Sequence, residues 1–397
     1  IPNFETVSLG IFVNVGSVNE NSDQLGISHF VEHMAFKGTK KRTALQISSE
    51  IESVGGYINA YTGKEVTAFY VKVLKENVEL AIDIVSDIVQ NSIFAQSEFE
   101  KEKGVIIQEI KQLHDAPDDF VFDMFQAKCF EGEKLGTQIL GTEESVNLLT
   151  PSDLSSYIKD NYSTDKMIFC ASGKVEQDEF LNLSEKYMNK MSSFKTETPI
   201  NQKYKGGFIF KKKELEQTHL ILGFEGLSHT NEDKFSLFAL STILGGGMSS
   251  RLFQEAREKR GLVYSIFSFT SNYRDTGVFG TYAACADSKA KEVIDITRNE
   301  FAKIIEDLTE EELKKAKTQI KASLLMGLES SSARMERLAN QFLLQGRFLT
   351  PSDLSKMIDA VSRDSIIALA KKIFSANPTL AVIGAGKDID KLYDDFN

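Results

Sequence analysis

The chain is short of basic charge: its 397 residues hold 46 Lys and Arg against 57 Asp and Glu, for a net charge of -11. A nucleic-acid binder normally presents a basic face, so that class is disfavoured. The acidity could suit basic peptide substrates, but plain solubility is the better explanation. Cysteine is scarce too. Cys129, Cys170 and Cys285 are odd in number and far apart, which gives neither a disulfide framework nor a CxxC metal site. They fit buried free thiols in a reducing compartment. No uninterrupted apolar run is long enough to span a bilayer, and no signal-peptide pattern opens the sequence, so membrane insertion is not expected. The first residue is Ile1 and not an initiator Met, which leaves open a presequence or a first strand ahead of it, and with it the location.

What is present is ordinary globular composition, 42% hydrophobic and 26% charged, on a chain too long for one hydrophobic core. The chain also repeats itself. Leu-Thr-Pro-Ser-Asp-Leu-Ser occurs at 149–155 and again at 349–355, half a chain away. The heptapeptide reads as a helix start: a Thr N-cap, Pro in the first turn, and Asp at the positive helix end. Each copy is followed by an apolar segment ending in small residues and lysine, MIFCASGK at 167–174 and LAVIGAGK at 380–387. Upstream, the strand 11–17 precedes one helix and the strand 220–226 another, while charged amphipathic helices at 95–114 and 308–327 correspond. Two copies of one fold explain this better than chance. The expected domains are 1–195 and 206–397, joined by a polar linker at 196–205. Alternating strands mixed with helices of 12–20 residues favour α+β over a doubly wound parallel sheet.

The helix after Gly26 carries His29-Phe30-Val31-Glu32-His33. At roughly 100° per residue, positions 29, 32 and 33 share one face. Two imidazoles one turn apart can hold a single Zn²⁺, and Glu32 beside them can reach a water on it. The apolar remainder (Phe30, Val31, Met34, Phe36) predicts a buried helix, where unpaired histidines and a carboxylate would be costly. The order HxxEH is that of the inverted zincins. A third ligand is still needed. The segment Glu98–Leu113, EFEKEKGVIIQEIKQL, places Glu102 and Glu109 two turns apart on one face among isoleucines. The inward-facing reading is stronger for Glu109 than for Glu102, for which a solvated face is the alternative. Mn²⁺ or Co²⁺ would fit the same donors.

HxxEH followed some 75 residues later by EKxxVIxxE resembles the M16 peptidases (pitrilysin, insulysin and the mitochondrial processing peptidases). Length and the GGGMSSRLF…REKRGLVY segment are most similar to the short M16B branch, the bacterial homologues of the processing peptidase β subunit. The resemblance implies two duplicated domains, each a mainly antiparallel sheet flanked by helices, enclosing a chamber. It implies one Zn²⁺ per chain held by His29, His33 and Glu109, with Glu102 behind them and Glu32 as general base. It further implies assistance from Arg257 and Tyr264, and substrate addition along the strand carrying Asn59, Ala60, Tyr61 and Thr62. Asp119 and Asp123 match positions that receive an arginine near presequence cleavage sites, so arginine-containing peptides are implied substrates. A homodimer is implied, in the bacterial cytoplasm or alternatively the mitochondrial matrix. The second half has no HxxEH; Ser236-Leu237-Phe238-Ala239-Leu240 stands at the matching helix, so one copy is catalytic. Gly245–Gly247 is not a phosphate loop, because no GK[ST] follows. The expected function is that of a zinc endopeptidase for extended or unfolded peptides. The alternative is a catalytically silent structural subunit of a larger assembly.

Overall fold

The computed structural model describes residues 1, 3–194, 201–386 and 392. Along the first half run β1 (Thr6–Val13), α1 (Ile27–Ala35), α2 (Ala44–Glu52), β2 (Tyr57–Thr62), β3 (Thr67–Leu74), α3 (Val78–Asn91) and α4 (Gln96–Asp115). Then come α5 (Pro117–Cys129), α6 (Glu143–Leu148), α7 (Pro151–Asn161), β4 (Met167–Gly173) and α8 (Gln177–Tyr187). The second half holds β5 (Gly207–Lys212), β6 (Thr218–Glu225), α9 (Lys234–Gly245), β7 (Val263–Asn272), β8 (Gly277–Cys285), α10 (Ala290–Asp307) and α11 (Glu310–Gly327). It closes with α12 (Ser331–Gln345), α13 (Pro351–Ala360), α14 (Arg363–Phe374) and β9 (Thr379–Gly384).

The repeat is visible in both sheets. The first has the order β2-β3-β1-β4, all antiparallel. The second, read as β7-β8-β6-β9, repeats that order and adds β5 parallel to β9. Fold class is α+β, as the strand pattern predicts. The duplicated heptapeptide does what its residues suggest. Thr150 and Thr350 cap α7 and α13 in capping boxes with Asp153 and Asp353, and a proline stands in each first turn. All three cysteines are buried and free. Among the described residues no helix is long and apolar enough to cross a membrane.

The compact units do not follow the sequence halves. One comprises 1–112, 137–199 and 326–348; the other 113–136, 200–325 and 349–397. One division, between 199 and 200, falls within the expected linker, of which residues 196–200 lie outside the described ones, but the segments 113–136 and 326–348 each pack with the other half of the sequence. The reason is an exchange of helices. In the first unit, α12 lies on β1 and β4, where Met335 and Ala339 close a buried cluster with Phe12, Val66, Ala68 and Cys170. In the second, α5 lies on β9, β6 and β5, and its Phe122 stacks on Tyr282 at 5.6 Å and lies tilted 5.1 Å from Phe269. Each sheet has a second apolar face, and a helix from the other half of the sequence covers it.

Candidate metal centre

The first unit positions α1 by its apolar side. Ile27, Phe30, Val31 and Met34 are buried, and Phe30 stacks on Phe99 of α4 at 4.4 Å. The helix begins at Gly26, whose φ of 90° is in the left-handed region that glycine tolerates. Its free amides meet a buried carboxylate: Gly26 N donates to Glu20 Oε2 at 2.8 Å and Ser28 N to Oε1 at 2.9 Å. Burial, against the pull of these hydrogen bonds, pushes Glu20 up to about 7. A raised carboxylate favours its protonated form in the fold. That stabilisation is complete below the ordinary value and fades as pH rises through about 7. Glu20→Ala is expected to lose about 1–3 kcal/mol near neutrality, because two buried amides lose their acceptor. Urea unfolding at pH 5, 6, 7 and 8 checks both parts: the variant should be less stable and show a flatter pH dependence.

With α1 so held, His29 and His33 face α4, while Glu32 turns to β2. His29 Nε2 and His33 Nε2 are 3.1 Å apart, and Glu109 Oε2 is 3.7 Å from the first and 3.5 Å from the second. Within hydrogen-bonding logic this is an odd set, since two imidazole nitrogens point at each other and at one carboxylate oxygen. A metal ion explains it. A triangle with those sides has a circumradius of about 2.0 Å, so the three donors can all reach one ion at ordinary zinc–ligand distances. These three residues form a metal-capable cluster. Burial, then the charge of His33, lowers the pKa of His29 to about 3, so its ring is neutral near pH 7, the form that binds metals. The other nitrogen of His29, Nδ1, is buried without a hydrogen-bond partner.

Glu32 does not join the triangle. Thr62 Oγ1 of β2 donates to Glu32 Oε2 at 2.6 Å, and no protein group among those described bonds Oε1. Burial raises the pKa of Glu32. Glu102 touches His33 on the far side of the ring, with Oε1 2.9 Å from Nδ1, and its Oε2 pairs with Lys37 Nζ at 2.7 Å. The solvated-face alternative for Glu102 is overturned. Its side chain is 7% exposed, against 37% for Glu109, the reverse of the order that the isoleucine pattern suggests. Glu102 lies between α1 and Lys37, whereas Glu109 stands at the open side of the histidine pair.

The structure therefore brings His29, Glu32, His33, Glu102, Glu109 and Thr62 together. Asn59, Ala60, Tyr61 and Thr62 lie on β2, which pairs with β3 alone among the described residues. Tyr61 OH reaches Glu336 of α12 at 3.1 Å. Asp119 and Asp123 lie on α5 in the second unit, which also holds Arg257, in the helical turn Phe253–Glu258, and Tyr264, on β7. The Arg257 guanidinium lies 5.1 Å over the ring of Tyr264, which is 74% exposed. Sequence reasoning missed Glu20, Lys37 and the bond from Thr62 to Glu32. Lys37 alone had a local signal, four residues beyond His33 and so one turn further along its face.

An inverted HxxEH helix with an acidic third donor, on one of two repeated α+β units, defines a metallopeptidase-like architecture. Comparison with known proteins makes the family specific. Residues 1–143 match the model described as Insulinase (Peptidase family M16), and 148–320 the one described as Peptidase M16 inactive domain. A protein of Rickettsia felis named as an uncharacterized zinc protease is 40% identical over 97% of this chain and 93% of its own length. The Bacillus subtilis zinc protease YmxG, likewise uncharacterized, is 35% identical over 96% and 94%. A crystal structure of a protease from Helicobacter pylori superposes with a TM-score of 0.89 over 97% of this chain and 95% of that one. At 22% identity it speaks for the fold. The chain belongs to peptidase family M16. In the second region α9 carries no metal donor at 236–240, and all but Phe238 of those residues are buried core.

Proposed function

We propose that this protein is a zinc endopeptidase acting on extended or unfolded peptides. The observation that carries the reading is the convergence of His29 Nε2, His33 Nε2 and Glu109 Oε2 on one ion-sized position, with Glu32 beside it. When bound there, zinc supplies Lewis acidity and makes a water molecule acidic near neutral pH. The remaining steps are the chain's own. Thr62 occupies Glu32 Oε2, so Oε1 is the atom that takes the proton from the attacking water. As the water oxygen bonds to the carbonyl carbon and the C–N bond breaks, Oε1 returns that proton to the departing amine nitrogen.

The edge of β2 opposite β3 offers main-chain donors and acceptors to an extended peptide, reading length and extension more than sequence. Its proximity to the base through Thr62 supports that route. The narrower reading, processing of arginine-containing presequence-like segments, is favoured by the exposed carboxylate of Asp119 beside Asp123 on α5. A homodimer in the bacterial cytoplasm completes the proposal; the relatives in Rickettsia and Bacillus support a bacterial protein.

The test is metal content together with cleavage of an unstructured peptide. We expect close to one zinc per chain, loss of cleavage on chelation and its return on adding zinc. A chain that holds zinc yet leaves both arginine-containing and arginine-free peptides intact would sink the peptidase reading in favour of a structural subunit.

A further inference from the structure

We propose that Lys37 is a positioning residue for the metal ligand set, acting through Glu102 on His33. This rests on the zinc reading and extends it by one residue. Lys37 lies just past the end of α1, four residues beyond His33. Its Nζ is 2.7 Å from Glu102 Oε2, and the other oxygen of that carboxylate is 2.9 Å from His33 Nδ1. A single carboxylate thus bridges the lysine and the back of the imidazole, while the front of the ring, Nε2, faces His29 and Glu109.

The bridge has two consequences. A hydrogen bond donated from Nδ1 to Glu102 leaves the lone pair on Nε2, the nitrogen that faces His29 and Glu109. The ring is also held against rotation, because Glu102 itself is clamped at both oxygens. Among the described residues Lys37 is the one partner of Oε2, and the carboxylate is only 7% exposed. Without the lysine, Oε2 has no partner among the described residues. A buried carboxylate in that position turns toward water and draws Oε1 away from His33. There is a charge argument as well. Glu32, Glu102 and Glu109 place three carboxylates around two imidazoles, and Lys37 is the cation that offsets the one not facing the ion.

Lys37 is not itself in the ligand set. Its side chain is 31% exposed, so Lys37→Met keeps most of its packing while deleting the charge. The expected result is a zinc Kd raised by roughly 10–100-fold, measured by competition with a chelating dye. Lys37→Arg should restore affinity to within about threefold of wild type, because guanidinium can bridge to the same oxygen. The decisive comparison is a cycle with Glu102→Gln. If Lys37 acts through Glu102, adding Lys37→Met to Glu102→Gln weakens zinc binding by no more than about threefold further. Multiplying single effects, or a Lys37→Met variant that binds zinc as wild type does, overturns the proposal. Thermal unfolding of the metal-free proteins separates loss of affinity from loss of fold. Should Lys37→Met not fold, Lys37→Gln against Lys37→Arg carries the same comparison. A wild-type chain that binds no zinc would instead overturn the metal reading itself, an outcome distinct from failure of the cycle.

Discussion

Glu32→Gln is expected to leave zinc bound and to lower kcat by roughly 10²–10⁴-fold, the usual contribution of a positioned general base. The substitution is nearly isosteric, and each contact that survives can be named. Thr62 Oγ1 can still donate to the amide oxygen, since it already donates to Oε2. The three converging donors are on His29, His33 and Glu109, none of which bonds Glu32, so the metal position is undisturbed. What changes is the second oxygen. An amide NH₂ stands where Oε1 would accept the proton, and it cannot. The loss should fall on kcat, with KM little altered, because substrate contacts along β2 are untouched. Steady-state cleavage of an unstructured peptide, with zinc measured on the same samples, decides it. Activity within tenfold of wild type would remove Glu32 from the base role. A variant that lost its zinc would show that the residue holds the metal instead.

The parts of this site that were legible in sequence were those with short-range geometry. HxxEH puts three groups on one helical face by spacing alone, and the seven-residue separation of Glu102 and Glu109 does the same on α4. The relative burial of those two was not legible. It depends on Lys37 and His33 reaching α4 from a helix some 70 residues earlier, and isoleucines around a carboxylate do not reveal which neighbour it meets. The link from Thr62 to Glu32 was hidden for the same reason: β-pattern gives a strand and its faces, not the side chain waiting opposite. The duplicated Thr-Pro-Ser-Asp caps and the strand order were readable because both copies carry the same local chemistry. The exchange of α5 and α12 was not. The apolar faces built around Phe122 and Phe125, and around Met335 and Ala339, announce that each helix is buried. Nothing in an amphipathic period says which of two similar sheets it covers.

Arg42→Met should have the largest effect on stability, a loss of about 3–5 kcal/mol. Arg42 is 5% exposed, in the turn that leads from Lys37 to α2. Its Nη2 donates to Asp83 Oδ2 at 2.7 Å and its Nη1 to Asp87 Oδ2 at 3.1 Å, both on α3, and its Nε to Glu50 Oε2 on α2 at 2.8 Å. Asp87 is buried and Asp83 partly so, so deleting the guanidinium strands one buried and one half-buried carboxylate. Thr39 and Asn91 still bond Asp87, and Lys41 still pairs with Asp83, which keeps the loss from being larger. Glu50, 35% exposed, adds little. Lys41→Met, removing the outer cation from the same cluster, should cost under about 1 kcal/mol. The sign of the pH dependence follows from Asp83. Burial opposes its ionisation, but hydrogen bonds and charge from Arg42 and Lys41 outweigh burial and hold its pKa below the ordinary value. Stability from such a group is present above the unfolded pKa of about 3.9 and is lost as pH falls through the folded one. The gap between wild type and Arg42→Met should therefore be full at pH 7 and narrow below about pH 4, as measured by chemical unfolding across that range. A gap under about 1 kcal/mol at pH 7 would mean that the carboxylates find water when the arginine is gone, and that the turn following the metal helix is not anchored by this cluster.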